Sequence, residues 1–319
     1  MGTFLQSDLN RAIRAVEGNS QVHRSSPIRF RKLGIRDVPI LGAFLRTDPV
    51  GFIYPLSWLH REGISPSSKH ISFHFDGAFL NDELIGASLI AGGILLFMAT
   101  HEPLAAEALA SDKALKNAQF NVLVGPQLAV DRAWIEIERR IGPARVARPQ
   151  TVFTVTPTTL KRFSAPHLRL AKPSDLIPVL GASLQMHELE TFQAPDATEV
   201  ELFRRGVSYQ ISEQRIYVWT ENDGPGLLFK TSVSAMCDAG AQLEGVFVPT
   251  HHRRCGYARR ALSELCQRLF EHVEVVSLYV NVENDAAIRL YRDTLGFEPV
   301  MPFKTVFFNR REKGSSSRS

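Results

Sequence analysis

The stretch that decides the fold is LEGVFVPTHHRRCGYARRA, residues 243–261. The apolar run 246–248 predicts a β-strand, and Pro249 ends it because a proline has no N–H to donate to a neighbouring strand. A helical pattern follows the turn, with one apolar face made of Ala261, Leu262, Leu265 and Leu269. The stretch therefore predicts a strand, a basic turn and a helix in that order.

A short basic turn, Thr250 to Arg254, follows the strand, and the segment from Arg253 to Ala258 leads into the helix. Gly256 and Ala258 keep the entry into the helix free of bulky side chains. Such a turn directs several backbone N–H groups at one point, where the helix N-terminus adds partial positive charge. Sites of this kind bind phosphate or pyrophosphate. Full charges come from the surrounding arginines, which are Arg253, Arg254, Arg259 and Arg260.

Two motifs here resemble the GNAT superfamily of acyl-CoA N-acyltransferases. Arg253-x-x-Gly256-x-Ala258 matches the Arg/Gln-x-x-Gly-x-Gly/Ala loop of that family, in the same strand–loop–helix setting. Downstream, the segment 284–297 is similar to the family's Asn-x-x-Ala-x-x-Leu-Tyr-x-x-x-Gly-Phe segment, with one extra residue before Gly-Phe. The residues support this independently, because Asn284 is a good helix N-cap and Gly296 a good C-cap.

The resemblance implies an α+β fold with a mixed sheet, and the order of elements predicts two tandem GNAT-like domains, each a mostly antiparallel sheet flanked by helices. The first copy has no Arg-x-x-Gly-x-Gly motif after its apolar run 94–98, and an unrelated α+β domain is the alternative for it. The predicted divisions are an N-terminal helix and linker at 1–27, a degenerate domain without the CoA loop at 28–160, a catalytic domain at 161–310 and a disordered tail at 311–319.

The family's activity implies an N-acetyltransferase that uses acetyl-CoA as cosubstrate and acts on the amine of a small molecule or peptide. N–H groups on the strand edge would pair with the pantetheine arm and polarise the thioester carbonyl. The residues expected to bind the cosubstrate are Val246, Phe247, Val248, Arg253, Arg254, Cys255, Gly256, Tyr257, Ala258, Arg259 and Asn284.

Tyr291 is the candidate general acid for the CoA thiolate, because a phenol with a pKa near 10 is close enough to a thiol to donate a proton to it. A core tyrosine is the alternative. Glu244 is the candidate general base, since it precedes the apolar run by two residues and shares its strand face. An ordinary polar residue at a sheet opening is the alternative there.

Other acids are weaker candidates. Glu188 and Glu190 could bind a cationic acceptor. At the strand position where many family members have a glutamate, five residues before the motif asparagine, this chain has Tyr279. That departure argues against the mechanism used for acetylating protein N-termini.

Composition narrows the function classes. A net charge of +4 and a pI near 9.0 fit a solvated surface with one anion site better than nucleic-acid binding, and the arginines lack aromatic neighbours beyond Tyr257. The three cysteines have no metal-ligand spacing. No run approaches the roughly 20 apolar residues of a membrane helix. We therefore expect no metal, no nucleic acid and no membrane, a cytoplasmic location, and a monomer or homodimer.

A second function class remains open from the sequence. A non-catalytic acyl-CoA-binding sensor or scaffold would use the same loop without turnover. Tyr291 and Asn284 favour the enzyme, whereas the lack of a convincing general base keeps the sensor hypothesis open.

Overall fold

The computed structural model describes residues 27–308 except 65–71, 112, 116–119, 222–223 and 225. The predicted N-terminal helix and the C-terminal tail lie outside these residues. The strands are β1 (Arg29–Lys32), β2 (Phe73–Leu80), β3 (Glu83–Ala91), β4 (Leu95–Ala99), β5 (Val122–Pro126), β6 (Val146–Val155), β7 (Arg169–Leu170), β8 (Ile216–Thr220), β9 (Leu227–Cys237), β10 (Gly240–Phe247), β11 (Val276–Asn281) and β12 (Glu298–Phe307). The helices are α1 (Val38–Leu45), α2 (Ile53–Glu62), α3 (Pro103–Leu109), α4 (Gln127–Ile141), α5 (Leu176–Thr191), α6 (Ala197–Ser212), α7 (Tyr257–Leu269) and α8 (Asp285–Ile288), which continues as a π-helical turn, Arg289–Leu295.

All twelve strands form one sheet in the order β1-β2-β3-β4-β5-β12-β6-β11-β10-β9-β8-β7. The order is symmetric about the β12–β6 pair. Each half has an antiparallel run of four strands followed by one parallel pair, which is β4–β5 in the first half and β10–β11 in the second. This repetition confirms the predicted fold class, two GNAT-like copies with a mostly antiparallel sheet.

The two halves exchange their last long strands, which the sequence did not predict. β6 belongs to the first half in sequence but pairs with β11, and β12 ends the second half but pairs with β5. β6 and β12 also pair with each other along most of their length. The predicted boundary after residue 160 therefore follows a strand that lies within the sheet of the second half.

Helices cover both faces of the sheet. On what we term the front face, α1 and α2 pack on the first half and α5 and α6 on the second. On the back face, α3 and α4 cover the first half, while α7 and the π-helical turn cover the second. The apolar spacing of α7 predicted this packing, because its residues at three- and four-residue intervals are the buried ones.

Helix α2 also reaches the front face of the second half. The Ser57 hydroxyl donates to the carbonyl oxygen of Met236 in β9, and the Met236 N–H donates back to the same hydroxyl, both at 3.1 Å. Arg46, just after α1, forms an ion pair of 2.8 Å with Asp238. The first half thus forms one wall of any site on that face.

The turn after the π-helical segment depends on a glycine. Gly296 has φ +85°, a left-handed conformation that side-chain-bearing residues rarely adopt. A methyl group there would also overlap the carbonyl oxygen of Thr159. The N–H of Phe297 then donates to the Tyr291 carbonyl at 2.9 Å, so this glycine fixes where Tyr291 lies relative to β12.

We expect Gly296→Ala to lower the free energy of unfolding by about 2 kcal/mol or more, from the left-handed backbone and the overlap together. Urea unfolding followed by circular dichroism measures it. Gly206→Ala in α6 is the matched control, because a methyl group added at Gly206 would meet open space, and a helical Gly→Ala change stabilises by up to about 1 kcal/mol. Equal stability of the two variants would contradict the assignment.

Candidate functional site

The parallel pair β10–β11 opens shortly after it forms. Only Ala241–Leu243 pair with Val276–Leu278. On the other side of β10 the register with β9 shifts between Glu244 and Phe247, where Gly245 has φ +63°. A bulge of this kind turns a strand away from its neighbour, so residues 244–247 present an edge that β11 does not pair. We call these residues the open edge.

The loop that follows has the backbone expected of an anion site. Arg254 and Gly256 have φ of +65° and +82°, on either side of Cys255. Gly256 is the N-cap of α7 and no side chain caps the helix, so the first N–H groups of α7 have no side-chain partner among the described residues. The side chains of Arg253 and Arg254 are exposed.

The other two arginines of this region differ in role. Arg260 stacks on Trp219, with 4.9 Å between its guanidinium carbon and the ring centre, and donates to the Ser164 carbonyl at 2.8 Å. Arg259 stacks on Phe163 at 4.7 Å, and its guanidinium lies beside Gly256. Arg259 therefore remains next to the loop, whereas Arg260 is bound to the preceding segment.

Tyr291 lies in the π-helical turn among the apolar residues of the back face. It is 6% exposed, and its ring centre is 5.7 Å from that of Phe297. Burial, together with the neighbouring Cys266, raises the pKa of this phenol, so it stays protonated at neutral pH. Asn284 caps α8 as predicted, since its side-chain oxygen accepts from the Ala287 N–H at 3.1 Å.

Glu244 begins the open edge and faces the front side of the sheet. Its side chain is exposed, and its Oε1 accepts from the Gln210 side-chain amide of α6 at 3.3 Å. Although solvent reaches part of the side chain, loss of hydration among the surrounding protein atoms raises the pKa of Glu244. The charge of Lys230, the Gln210 hydrogen bond and the charge of Arg215 oppose that shift. The carboxylate can accept a proton from a group that approaches the open edge on this face.

A buried lysine accompanies this acid. Lys230 of β9 is 5% exposed, and its Nζ donates to the Ser183 hydroxyl at 3.1 Å. Burial lowers the pKa of Lys230 to about 8, against the charges of Glu244 and Glu190. Burial and then Glu244 raise the pKa of Glu190. Lys230 was not predicted as a site residue, although it is the one charged residue in the sequence of β9.

Aromatic residues from both halves of the chain lie on the same face. Tyr54 of α2 stacks on Phe97 at 5.9 Å between ring centres, and Phe303 connects Phe97 to Tyr279 at 6.2 and 4.7 Å. The Tyr279 hydroxyl and the Gln242 side-chain oxygen are buried, and neither has a hydrogen-bond partner within the described ranges.

In the first half the parallel pairing is equally short, but the two strands stay in contact one residue beyond it. Leu95–Phe97 pair with Val122–Val124, and a methyl group on Gly125 would lie 2.5 Å from the Met98 carbonyl oxygen. The two strands therefore remain in contact. Helix α3 follows from Pro103, and the described residues that lead into it, 100–102, contain no left-handed turn.

Among the described residues, no helix is both long and apolar enough to cross a membrane. In the same residues there is no group of three or more His, Cys, Asp or Glu side chains that could bind a metal ion.

Comparison with known proteins agrees with this geometry. Residues 186–297 match the model of the acetyltransferase (GNAT) family, whereas no curated protein matches the sequence. Among solved structures, a Drosophila protein is similar with a TM-score of 0.61 at 11% identity, over 88% of this chain and 98% of its own. A GCN5-related N-acetyltransferase from Sphaerobacter thermophilus has a TM-score of 0.53 at 13% identity, over 88% and 95% of the two chains.

At these identities the likeness to solved structures shows the fold alone, and it covers both halves of the chain. The matched segment contains the open edge, the loop before α7 and the π-helical turn. Residues 186–297 are therefore similar to the acetyltransferase domain of the GNAT family, in a chain whose two halves repeat one sheet pattern.

Proposed function

We propose that the protein is an acetyl-CoA-dependent N-acetyltransferase acting on the amine of a small molecule or peptide. The observation that supports this is the open edge of β10. It begins at Glu244, and the loop and uncapped N-terminus of α7 follow it along the chain. In this proposal the strand edge would bind the cosubstrate and the adjacent acid would serve the acceptor.

Each part of the cosubstrate has a candidate partner. The backbone N–H groups of residues 254–259, with the charges of Arg253, Arg254 and Arg259, would bind the pyrophosphate. The open edge would pair with the amides of the pantetheine arm, and its N–H groups would polarise the thioester carbonyl. Asn284, in the helix cap that precedes Tyr291, would contact the cosubstrate as well as cap α8.

In the proposed reaction the amine nitrogen forms a bond to the acetyl carbon while the carbon–sulfur bond breaks. Glu244 receives the proton from the amine, directly or through water, and Tyr291 donates a proton to the departing thiolate. The positive charge of Lys230 favours the ionised form of Glu244 against the effect of its surroundings. The reaction requires no further group from the protein.

The burial of Tyr291 favours one alternative, an acyl-CoA-binding sensor or scaffold without turnover, because a core tyrosine needs no chemical role. The domain boundaries at 28, 161 and 310, the cytoplasmic location and the choice of monomer or homodimer stay predictions.

We expect Tyr291→Phe to lower kcat for thiol release from acetyl-CoA by about 100-fold, the usual effect of losing a general acid, with the Kd for acetyl-CoA unchanged. Thiol release with a panel of amines and calorimetry measure the two quantities. Tyr217→Phe is the matched control, since Tyr217 packs in the same apolar cluster. Full turnover in Tyr291→Phe would remove the general-acid role, and absence of any acetyl-CoA binding would contradict the proposed function.

The pH dependence tests Glu244. Because its pKa is raised from the usual 4.5, protonation should remove the base at a pH above 4.5, so kcat/KM should fall as pH drops through the raised value. Glu244→Gln should lower kcat/KM about 100-fold or more, and its kcat/KM should no longer fall at acidic pH. We call this fall the acidic limb of the pH profile.

Lys230→Met should move the limb to higher pH, because the positive charge that lowers the pKa of Glu244 is gone. Glu274→Gln, an exposed acid before β11, is the control for the general effect of removing a carboxylate. A limb that is unchanged in Glu244→Gln would assign the base to another group.

A further inference from the structure

Arg215 is a half-buried arginine directly before β8. Its N–H donates to the Gln210 carbonyl at 2.9 Å, and its carbonyl accepts from the Val233 N–H at 2.8 Å, so its backbone is fixed on both sides. Its guanidinium forms no hydrogen bond or ion pair with any residue that the structure describes. A guanidinium keeps its charge at all ordinary pH values. Partly burying it with no acid in direct contact costs free energy, and a bound anion would recover some of it.

Arg215 is linked to the candidate base through one residue. The Gln210 carbonyl binds the Arg215 backbone, and the Gln210 side-chain amide binds Glu244 at 3.3 Å. Across the sheet, Ile216 pairs with Ser232, and Ser232 pairs with Glu244. The guanidinium is also near enough to lower the pKa of Glu244.

A second arginine approaches Arg215 from the first half of the chain. Arg61 of α2 stacks on Trp58 with 5.0 Å between its guanidinium carbon and the ring centre, and it donates to Glu62 at 2.8 Å. Burial and then the charge of Arg61 lower the pKa of Arg215, while Tyr209, Glu213 and Tyr54 oppose that shift. An anion bound at Arg215 would offset the repulsion from Arg61.

The front face thus has a guanidinium with no direct hydrogen-bond partner among the described residues, Arg215, and a carboxylate, Glu244, and Gln210 links the two. Resting on the proposed function, we propose that the acceptor is an amino-carboxylate, one small molecule in which Arg215 binds the carboxylate while the amine lies at Glu244. Arg215 is then a specificity residue. It selects the acceptor by charge and takes no part in the proton transfers.

The test compares glycine, β-alanine and γ-aminobutyrate with their amides, using acetyl-CoA and thiol release with the full-length protein. The wild type should acetylate at least one acid with a kcat/KM about 100-fold above that of its amide. Arg215→Met should lower kcat/KM for that acid about 100-fold, chiefly through KM, and leave the amide unchanged. Arg204→Met is the matched control, because Arg204 is exposed on α6 and paired with Glu201, and both substrates should be unaffected.

Equal kcat/KM for acids and amides in the wild type, or an equal loss for both in Arg215→Met, would overturn the acceptor proposal and leave the acetyltransferase intact. Absence of thiol release from every acceptor, with acetyl-CoA shown to bind by calorimetry, would overturn the proposed function and this inference with it. If thermal unfolding shows that Arg215→Met does not fold, Arg215→Lys replaces it as the variant. If neither variant folds, the wild-type ratio of kcat/KM for acid and amide decides.

Discussion

The parallel pairing of β10 with β11 ends after three residues, and the whole candidate site depends on that ending. Backbone N–H and C=O groups inside a sheet are normally paired with the next strand, so an early divergence leaves donors and acceptors for another molecule. The bulge at Gly245 produces the divergence. In the first half the parallel pairing is also three residues long, but the strands stay in close contact at the next residues, Gly125 and Met98.

The two halves have different tasks on one face of the sheet. The second half supplies the open edge, the loop before α7 and Glu244. The first half supplies a wall, because α2 bonds to β9 through Ser57 and brings Tyr54 and Arg61 to the same side. A half without its own opening thereby shapes the space over the acid of the other, and the charges on that space come from both.

The features of the site that depend on neighbouring residues in the chain could be predicted from the sequence. Pro249, Gly256, Asn284 and Gly296 each act within a few residues of their position, so the strand, loop, cap and turn followed from the sequence. The exchange of β6 and β12 did not, because strand patterns specify a face but not a partner across the sheet. Lys230 and Arg215 were missed for the same reason, since their importance comes from acids and helices that are distant in sequence. The spacing placed Tyr291 on a helix face, but its burial in a π-helical turn depends on tertiary packing.

The exchanged strands also govern how the chain is made. β12 follows every other described strand along the chain, yet it fills the gap between β5 and β6 in the middle of the sheet. Until it arrives, both neighbours keep bare edges that favour intermolecular pairing and aggregation. Neither half completes its sheet alone, so a chain that stops before residue 298 would leave the sheet divided at its centre.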